Sequence, residues 1–299
     1  MRFTLLFAVL FSCLSAHAQS YSRIEAFGDS YSDSGRSFAL SQRLVADDVP
    51  GAIEAPAAPY WAGRWSNGKT AVEVLAEKLA VPLENHAVGG ARSGRFNNNP
   101  MLDTYGDTGM QAQVEQYLEH ATHADPRALY VLFASANDFF GLHTTPSPDA
   151  LQTLVTTVVA NQINAVQRLI DAGAKHVLLV GSSDLERVPM VVKNGRAVQA
   201  GEFRDSVNAR LSRFIPAWRE AGVKATFFDH AAFSAPLMRS PMHYGFTTLD
   251  KACIERSVQA TGVCDDPDSH YFYDDVHPTA HVHRLAGEAM AAALNASEP

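Results

Sequence analysis

Residues 26–35 read A-F-G-D-S-Y-S-D-S-G. They continue a short apolar run, R-I-E-A-F at 23–27, that has the character of a buried strand. Gly28 and Asp29 then break the extended chain, because both residue types favour turns. Ser30 stands at the tip of that turn. A serine so placed is a helix cap, a solvated turn residue or a nucleophile, and the rest of the chain must discriminate between them. Fold class matters here, since ligands in open α/β sheets bind beyond the carboxyl ends of the strands.

Working outward, short apolar runs alternate with helical periodicity. Residues 67–80 place Val72, Leu75 and Leu79 on one face of an amphipathic helix, with Ser66 or Asn67 as its cap. The run L-Y-V-L-F-A at 129–134 fits a strand buried on both faces, and H-V-L-L-V-G at 176–181 is another. Helices are expected over 149–172, ending at Gly173, over 202–221, ending at Gly222, and over 279–294. A further strand is expected at 225–229. Strand alternating with helix predicts an α/β layer fold with a mostly parallel sheet. Residues 46–63, 93–110 and 235–273 read as long loops, which in a compact domain often carry function.

The chain has 299 residues and a formal net charge of −8, with 46% hydrophobic and 19% charged residues. Such a composition permits a substantial core, and the acidic balance without a Lys/Arg cluster argues against a nucleic-acid partner. Residues 1–18 carry one cation, an apolar run and small residues at Ala16 and Ala18, the layout of a secretory signal peptide. The apolar run is shorter than the ~20 residues a membrane span needs. The protein is therefore expected to be exported, periplasmic or secreted, with one domain over 19–299 and no transmembrane segment once the leader is removed. Of three cysteines, Cys13 leaves with the leader, and Cys253 and Cys264 remain. An even pair in an oxidising compartment predicts a disulfide, whose short loop contributes about 3 kcal/mol in the chain-entropy picture.

If Ser30 is a nucleophile, it needs a base, and the base an orienting carboxylate. Near the other end of the chain, Y-F-Y-D-D-V-H-P-T at 271–279 places Asp274 three residues before His277. An oxyanion formed on attack needs preset N–H donors. The Ser30 amide is one candidate, a glycine amide of V-G-G-A at 88–91 a second, and the Asn137 side chain of S-A-N-D a third.

Together these segments resemble the four blocks of the GDSL, or SGNH, hydrolases. P-Y-W-A-G-R-W-S-N-G-K at 59–69 is also similar to the stretch that follows the first block in the lipase and esterase branch. Each block alone is weak; four in order, plus this stretch, are specific. The resemblance runs from about residue 24 to the end. It implies a three-layer α/β/α sandwich and ester hydrolysis through an acyl-enzyme, without a cofactor. By family pattern Ser30 is the nucleophile, His277 the base and Asp274 its partner, with Ser30, Gly90 and Asn137 forming the oxyanion hole. Two positions depart from the pattern: Tyr31 stands where the name-giving motif has Leu, and Ser135 where the third block has Gly.

Several rivals share these residues. Asp275 competes with Asp274, and Gly89 with Gly90. His281 and His283 follow His277 closely enough to suggest a metal site, although H-E-x-x-H is absent. The same machinery serves an acyltransferase or a carbohydrate O-acetyl esterase, and a cleft without turnover would make a binding protein. Tyr31, Trp61, Trp65, Phe139 and Phe140 are either core or the lining for an acyl chain or a choline head group held by cation–π contact. A small-molecule or lipid ester is the expected substrate.

Overall fold

The short apolar runs become a central parallel sheet in the computed structural model, which describes residues 21–254 and 262–296. The leader expected at 1–18 lies outside the described residues. The strands are β1 (Ile24–Gly28), β2 (Leu83–Asn85), β3 (Leu129–Phe133), β4 (His176–Val180) and β5 (Lys224–Phe228). Their order is β2-β1-β3-β4-β5. Ten helices accompany them among the described residues: α1 (Arg36–Ala46), α2 (Ala71–Leu79), α3 (Met110–Ala121), α4 (Ala136–Phe140), α5 (Pro148–Asp171), α6 (Pro189–Lys193), α7 (Ala197–Leu211), α8 (Ile215–Glu220), α9 (His230–Arg239) and α10 (Ala280–Ala296).

The all-apolar reading of β3 holds because the strand feeds two cores. Leu129, Val131 and Phe133 pack on one face with Ile24, Val72, Leu75 and Met290, under α2 and α10. Tyr130 and Leu132 pack on the other with Val158, Val166 and Phe203, under α3, α5 and α7. Two helical layers thus sandwich the sheet, as the sequence predicts.

From β1 the chain steps to β2 on one side, then returns to β3 on the other, and continues outward to β4 and β5. The direction of winding reverses at β1, so a crevice opens between the carboxyl ends of β1 and β3. Gly28 pairs in register with Phe133 there. A Cβ on Gly28 would stand 2.3 Å from the Phe133 carbonyl oxygen, so only glycine permits this approach.

Three expectations need correction. The helix read over 202–221 is two helices, α7 and α8, joined by a short 3₁₀ turn ahead of Pro216 at the start of α8. The region 235–273 is not one loop. It carries the end of α9, a 3₁₀ turn and a second, two-stranded parallel sheet of β6 (Thr248–Ala252) and β7 (His270–Phe272). Neither Ser66 nor Asn67 caps α2. Thr70 does, in a capping box with Glu73, while Asn67 Oδ1 accepts from the Ala280 N–H at the start of α10 (2.7 Å). Cys253 and Cys264 are joined in a disulfide beside Ile254 and Tyr273. Among the described residues no helix is long and apolar enough to cross a membrane.

Candidate active site

The turn after β1 is built by its own carboxylates. Asp29 Oδ1 accepts from the Tyr31 N–H (3.0 Å), and the Asp29 carbonyl accepts from the Ser32 and Asp33 amides (3.0 Å each). Asp33 is fully buried, and its carboxylate accepts from four amides: Gly35 (2.8 Å) and Arg36 (2.6 Å) on Oδ1, Ser37 (3.0 Å) and Gly89 (2.8 Å) on Oδ2. One side chain therefore ends the turn, starts α1 and holds the glycine loop beside Ser30. Asp29 and Asp138 are buried as well. Burial pushes the Asp29 carboxyl up to about 7 and that of Asp138 up to about 6. Asp138 accepts from the Ser93 N–H and O–H (2.8 Å each), which ties the 93–110 loop to α4.

β7 and the turn after it deliver the residues from the far end of the chain. His277 Nε2 lies 2.9 Å from Ser30 Oγ. His277 Nδ1 lies 2.8 Å from Asp274 Oδ2 and 3.0 Å from Oδ1. Asp274 Oδ1 also accepts from the Val276 and His277 amides, at 2.8 and 2.6 Å. Asp274 is completely buried. The backbone carbonyl of its rival Asp275 accepts from the Met190 amide (2.9 Å).

Gly89 and Gly90 are also told apart. The Gly89 N–H is committed to Asp33. Among the described residues, neither the Gly90 nor the Ser30 N–H has an acceptor. Gly90 has φ +82°, a conformation that suits glycine. The Asn137 side chain donates to the Ala91 carbonyl (3.1 Å), which leaves it a second N–H.

Ser30, Gly90, Asn137 and His277 meet at one cavity of about 460 Å³. Its wall is mostly apolar: Leu44 of α1, Ala52 and Ile53 of the 46–63 loop, Met101 and Leu102 of the 93–110 loop, and Met190. Two of the expected long loops thus form the pocket. Of the five aromatic residues singled out in the sequence, only Trp65 and Phe140 line it. Tyr31 is buried, with its hydroxyl donating to the Val276 carbonyl (2.9 Å). Phe139 is core, and Trp61 lies half-exposed under the Arg64 guanidinium (4.9 Å). Tyr31, Phe139 and Trp61 are therefore removed from the aromatic lining.

The other histidines go separate ways. His281 Nδ1 faces the Asp268 carbonyl (2.7 Å) and its ring stacks on Phe246. His283 is buried beside Tyr31, and burial lowers it to about 3. Among the described residues, no three metal-ligating side chains converge.

Sequence reasoning did not foresee two contacts of the His277–Asp274 pair. Trp65 stacks on the His277 ring, with centroids 5.3 Å apart and planes at 26°. The Tyr60 hydroxyl donates to Asp274 Oδ2 at 2.5 Å. Both belong to the 59–69 stretch, but neither contact has a spacing that a sequence reveals.

The GDSL-like Lipase/Acylhydrolase family description matches residues 24–290. The chain is 26% identical to the thermolabile hemolysin of Vibrio parahaemolyticus, across 91% of this chain and 64% of that protein. It is 24% identical to the phosphatidylcholine-sterol acyltransferase of Aeromonas hydrophila, across 78% of this chain and 66% of that protein. It thus spans just under two thirds of the length of either relative. A crystal structure of a GDSL-like lipase from Parabacteroides merdae shares the fold, with TM-score 0.50 and 14% identity over 93% of this chain and 97% of that one. With four motif blocks in order and the match covering most of its length, the chain belongs to the GDSL-like lipase/acylhydrolase family.

Proposed function

We propose that this protein is an exported serine ester hydrolase that cleaves carboxylic esters with an apolar acyl group. The observation that carries the reading is the hydrogen-bonded chain Asp274–His277–Ser30 opening into an apolar cavity beside two amide N–H groups with no acceptor among the described residues. In the reaction, His277 Nε2 takes the Ser30 hydroxyl proton as Oγ bonds to the ester carbonyl carbon. The carbonyl electron pair moves onto oxygen, which the Ser30 and Gly90 amides and the Asn137 side chain receive. Collapse expels the alcohol, which takes the proton from His277, and leaves Ser30 acylated. Water repeats the sequence and releases the acid. Asp274 accepts the Nδ1–H and offsets the charge on the imidazolium. Turnover falls on acidification, because a protonated His277 cannot accept the Ser30 proton.

The cavity is far larger than an acetyl group, which favours longer acyl chains over O-acetyl sugars. The acyltransferase name of the Aeromonas relative supports a second reading, in which an alcohol replaces water in the second half. A choline head group would find its ring faces in Trp65 and Phe140. The disulfide supports export, since such bonds persist in oxidising compartments.

The test is the initial rate on a chain-length series of acyl esters and acylcholines, with product analysis in the presence of an added alcohol. Ser30→Ala is run alongside. Turnover that rises with chain length and vanishes in Ser30→Ala is expected. A variant as active as the parent refutes the nucleophile. A preference for acetyl esters refutes the acyl pocket.

A further inference from the structure

The 59–69 stretch has no part in the chemistry described above, yet it touches the acid–base segment repeatedly. Tyr60 O–H donates to Asp274 Oδ2 (2.5 Å). Trp65 stacks on His277. The Ser66 hydroxyl donates to the Pro278 carbonyl (2.8 Å), and the Asn67 side chain accepts from the Ala280 amide (2.7 Å). Residues 60–67 thus run alongside 274–280 and hold them at four points.

The segment is itself anchored. Trp61 N–H donates to the Ser66 carbonyl (2.9 Å), closing the loop on itself. The Arg64 guanidinium pairs with Glu73 in the first turn of α2 (2.6 Å). Trp65 Nε1–H donates to Ser37 of α1 (3.0 Å), and the indole lies against Gly89, where an added Cβ would stand 2.3 Å from Nε1. The Tyr60 ring packs between Trp65 and Tyr273, with both centroid distances 5.6 Å. Tyr273 in turn donates its hydroxyl to the Pro59 carbonyl (2.8 Å) and sits on the disulfide.

Resting on the hydrolase reading above, we propose that residues 60–67 are a clamp that sets the geometry of the His277–Asp274 pair, with Tyr60 as a positioning residue acting through Asp274. Of the two Asp274 oxygens, Oδ1 is held by its own turn through two amides. Oδ2, the nearer to His277, is shared between the imidazole and Tyr60. Tyr60 therefore fixes the plane of the carboxylate and withdraws charge from the oxygen that faces the ring. Without it, Oδ2 loses one of its two fixed partners and carries more charge toward the ring, which then holds a proton to higher pH and is less often free to accept the one on Ser30.

The test is Tyr60→Phe, which keeps the ring and its packing and removes only the hydroxyl. Its kcat, KM, melting temperature and pH–rate profile are compared with those of the parent. A lost hydrogen bond to a charged group corresponds to a fall of roughly 10- to 100-fold. That fall is expected in kcat with KM nearly unchanged, and the melting temperature drops by only a few degrees, too little to unfold the protein at the assay temperature. The acid limb of the profile moves to higher pH; burial raises the neighbouring Tyr31 and Tyr273 and lowers His283 to about 3, so none of these three titrates in that limb. In an Asp274→Asn background the same substitution changes kcat less than about twofold, because its route of action is gone. An unmoved pH profile, a kcat within about twofold of the parent, or full additivity with Asp274→Asn overturns the clamp. Ser30→Ala keeps the two readings apart: if it retains turnover the hydrolase reading fails, whereas an inactive Ser30→Ala beside an unperturbed Tyr60→Phe sinks the clamp alone.

Discussion

Asp33→Asn is nearly isosteric, yet it should be among the costliest single changes in the chain. The carboxylate is fully buried and accepts from four amides, two on each oxygen. An asparagine keeps one oxygen. Whichever way its amide turns, the NH₂ group faces two N–H donors, so two bonds to a charged acceptor are lost and two donors are left buried. At about 1.5–3 kcal/mol for each bond to a charged group, the cost is roughly 3–6 kcal/mol. That is a large share of the ~5–15 kcal/mol that stabilises a typical domain. The negative charge at the start of α1 is lost too, which adds up to about 1 kcal/mol. If the asparagine oxygen stays with Gly35 and Arg36, the Gly89 amide is released and the neighbouring Gly90 N–H loses its aim. Urea unfolding measures the first effect, and kcat on a medium-chain ester below the unfolding transition measures the second. An unfolding free energy within about 1 kcal/mol of the parent, with kcat unchanged, would refute the account of Asp33 as the joint between the turn, α1 and the glycine loop.

Other outcomes follow from the same geometry. Asn137→Ala should lower kcat about 10²–10³-fold with little change in KM, as loss of an oxyanion donor does elsewhere; a KM effect alone would place Asn137 in substrate binding instead. Gly28→Ala should destabilise by about 1–3 kcal/mol or more, because the new Cβ meets backbone at 2.3 Å and backbone does not yield; an unshifted urea midpoint would contradict the close approach of β1 and β3. Asp29 binds its proton more tightly folded, at about 7, than in the unfolded chain, so its contribution to stability falls as pH rises from about 4 to 7. Asp29→Asn removes that loss, and its stability relative to the parent should increase across this window by up to about 4 kcal/mol; a difference independent of pH rules out the shift. Ala52→Trp, in the apolar wall, should shorten the preferred acyl chain without abolishing turnover of the shortest esters, and an unaltered chain-length profile would place the acyl group elsewhere.

What the sequence revealed and what it hid divide along a physical line. Strands buried on both faces, such as β3 and β4, are continuous apolar runs and can be read directly. β2 escaped notice because it is only Leu83–Asn85, an edge strand with an exposed Glu84 in the middle. Ser30, Asp274 and His277 were legible as a candidate group because a nucleophile, a base and a carboxylate demand particular residue types, and the structure brings the three together. Asn67 was misread as a cap for the helix that follows it because a capping side chain is normally local. Here its oxygen serves a helix that begins 213 residues later. The contacts of Tyr60 with Asp274 and of Trp65 with His277 stayed hidden for the same reason: across more than two hundred residues they leave no periodicity. The split of the 202–221 helix was marked by Pro216, which the periodicity of the flanking residues masked.

Ser30 and His277 meet across 247 residues of chain. The 2.9 Å contact between them exists only when β1 of the central sheet and the turn after β7 of the second sheet have both docked. Contacts so remote in sequence close late, since the loop entropy must be met before they reward the chain. Ester turnover is therefore a reporter of completed topology. During refolding it should lag the recovery of helical signal, and during unfolding it should vanish before that signal does.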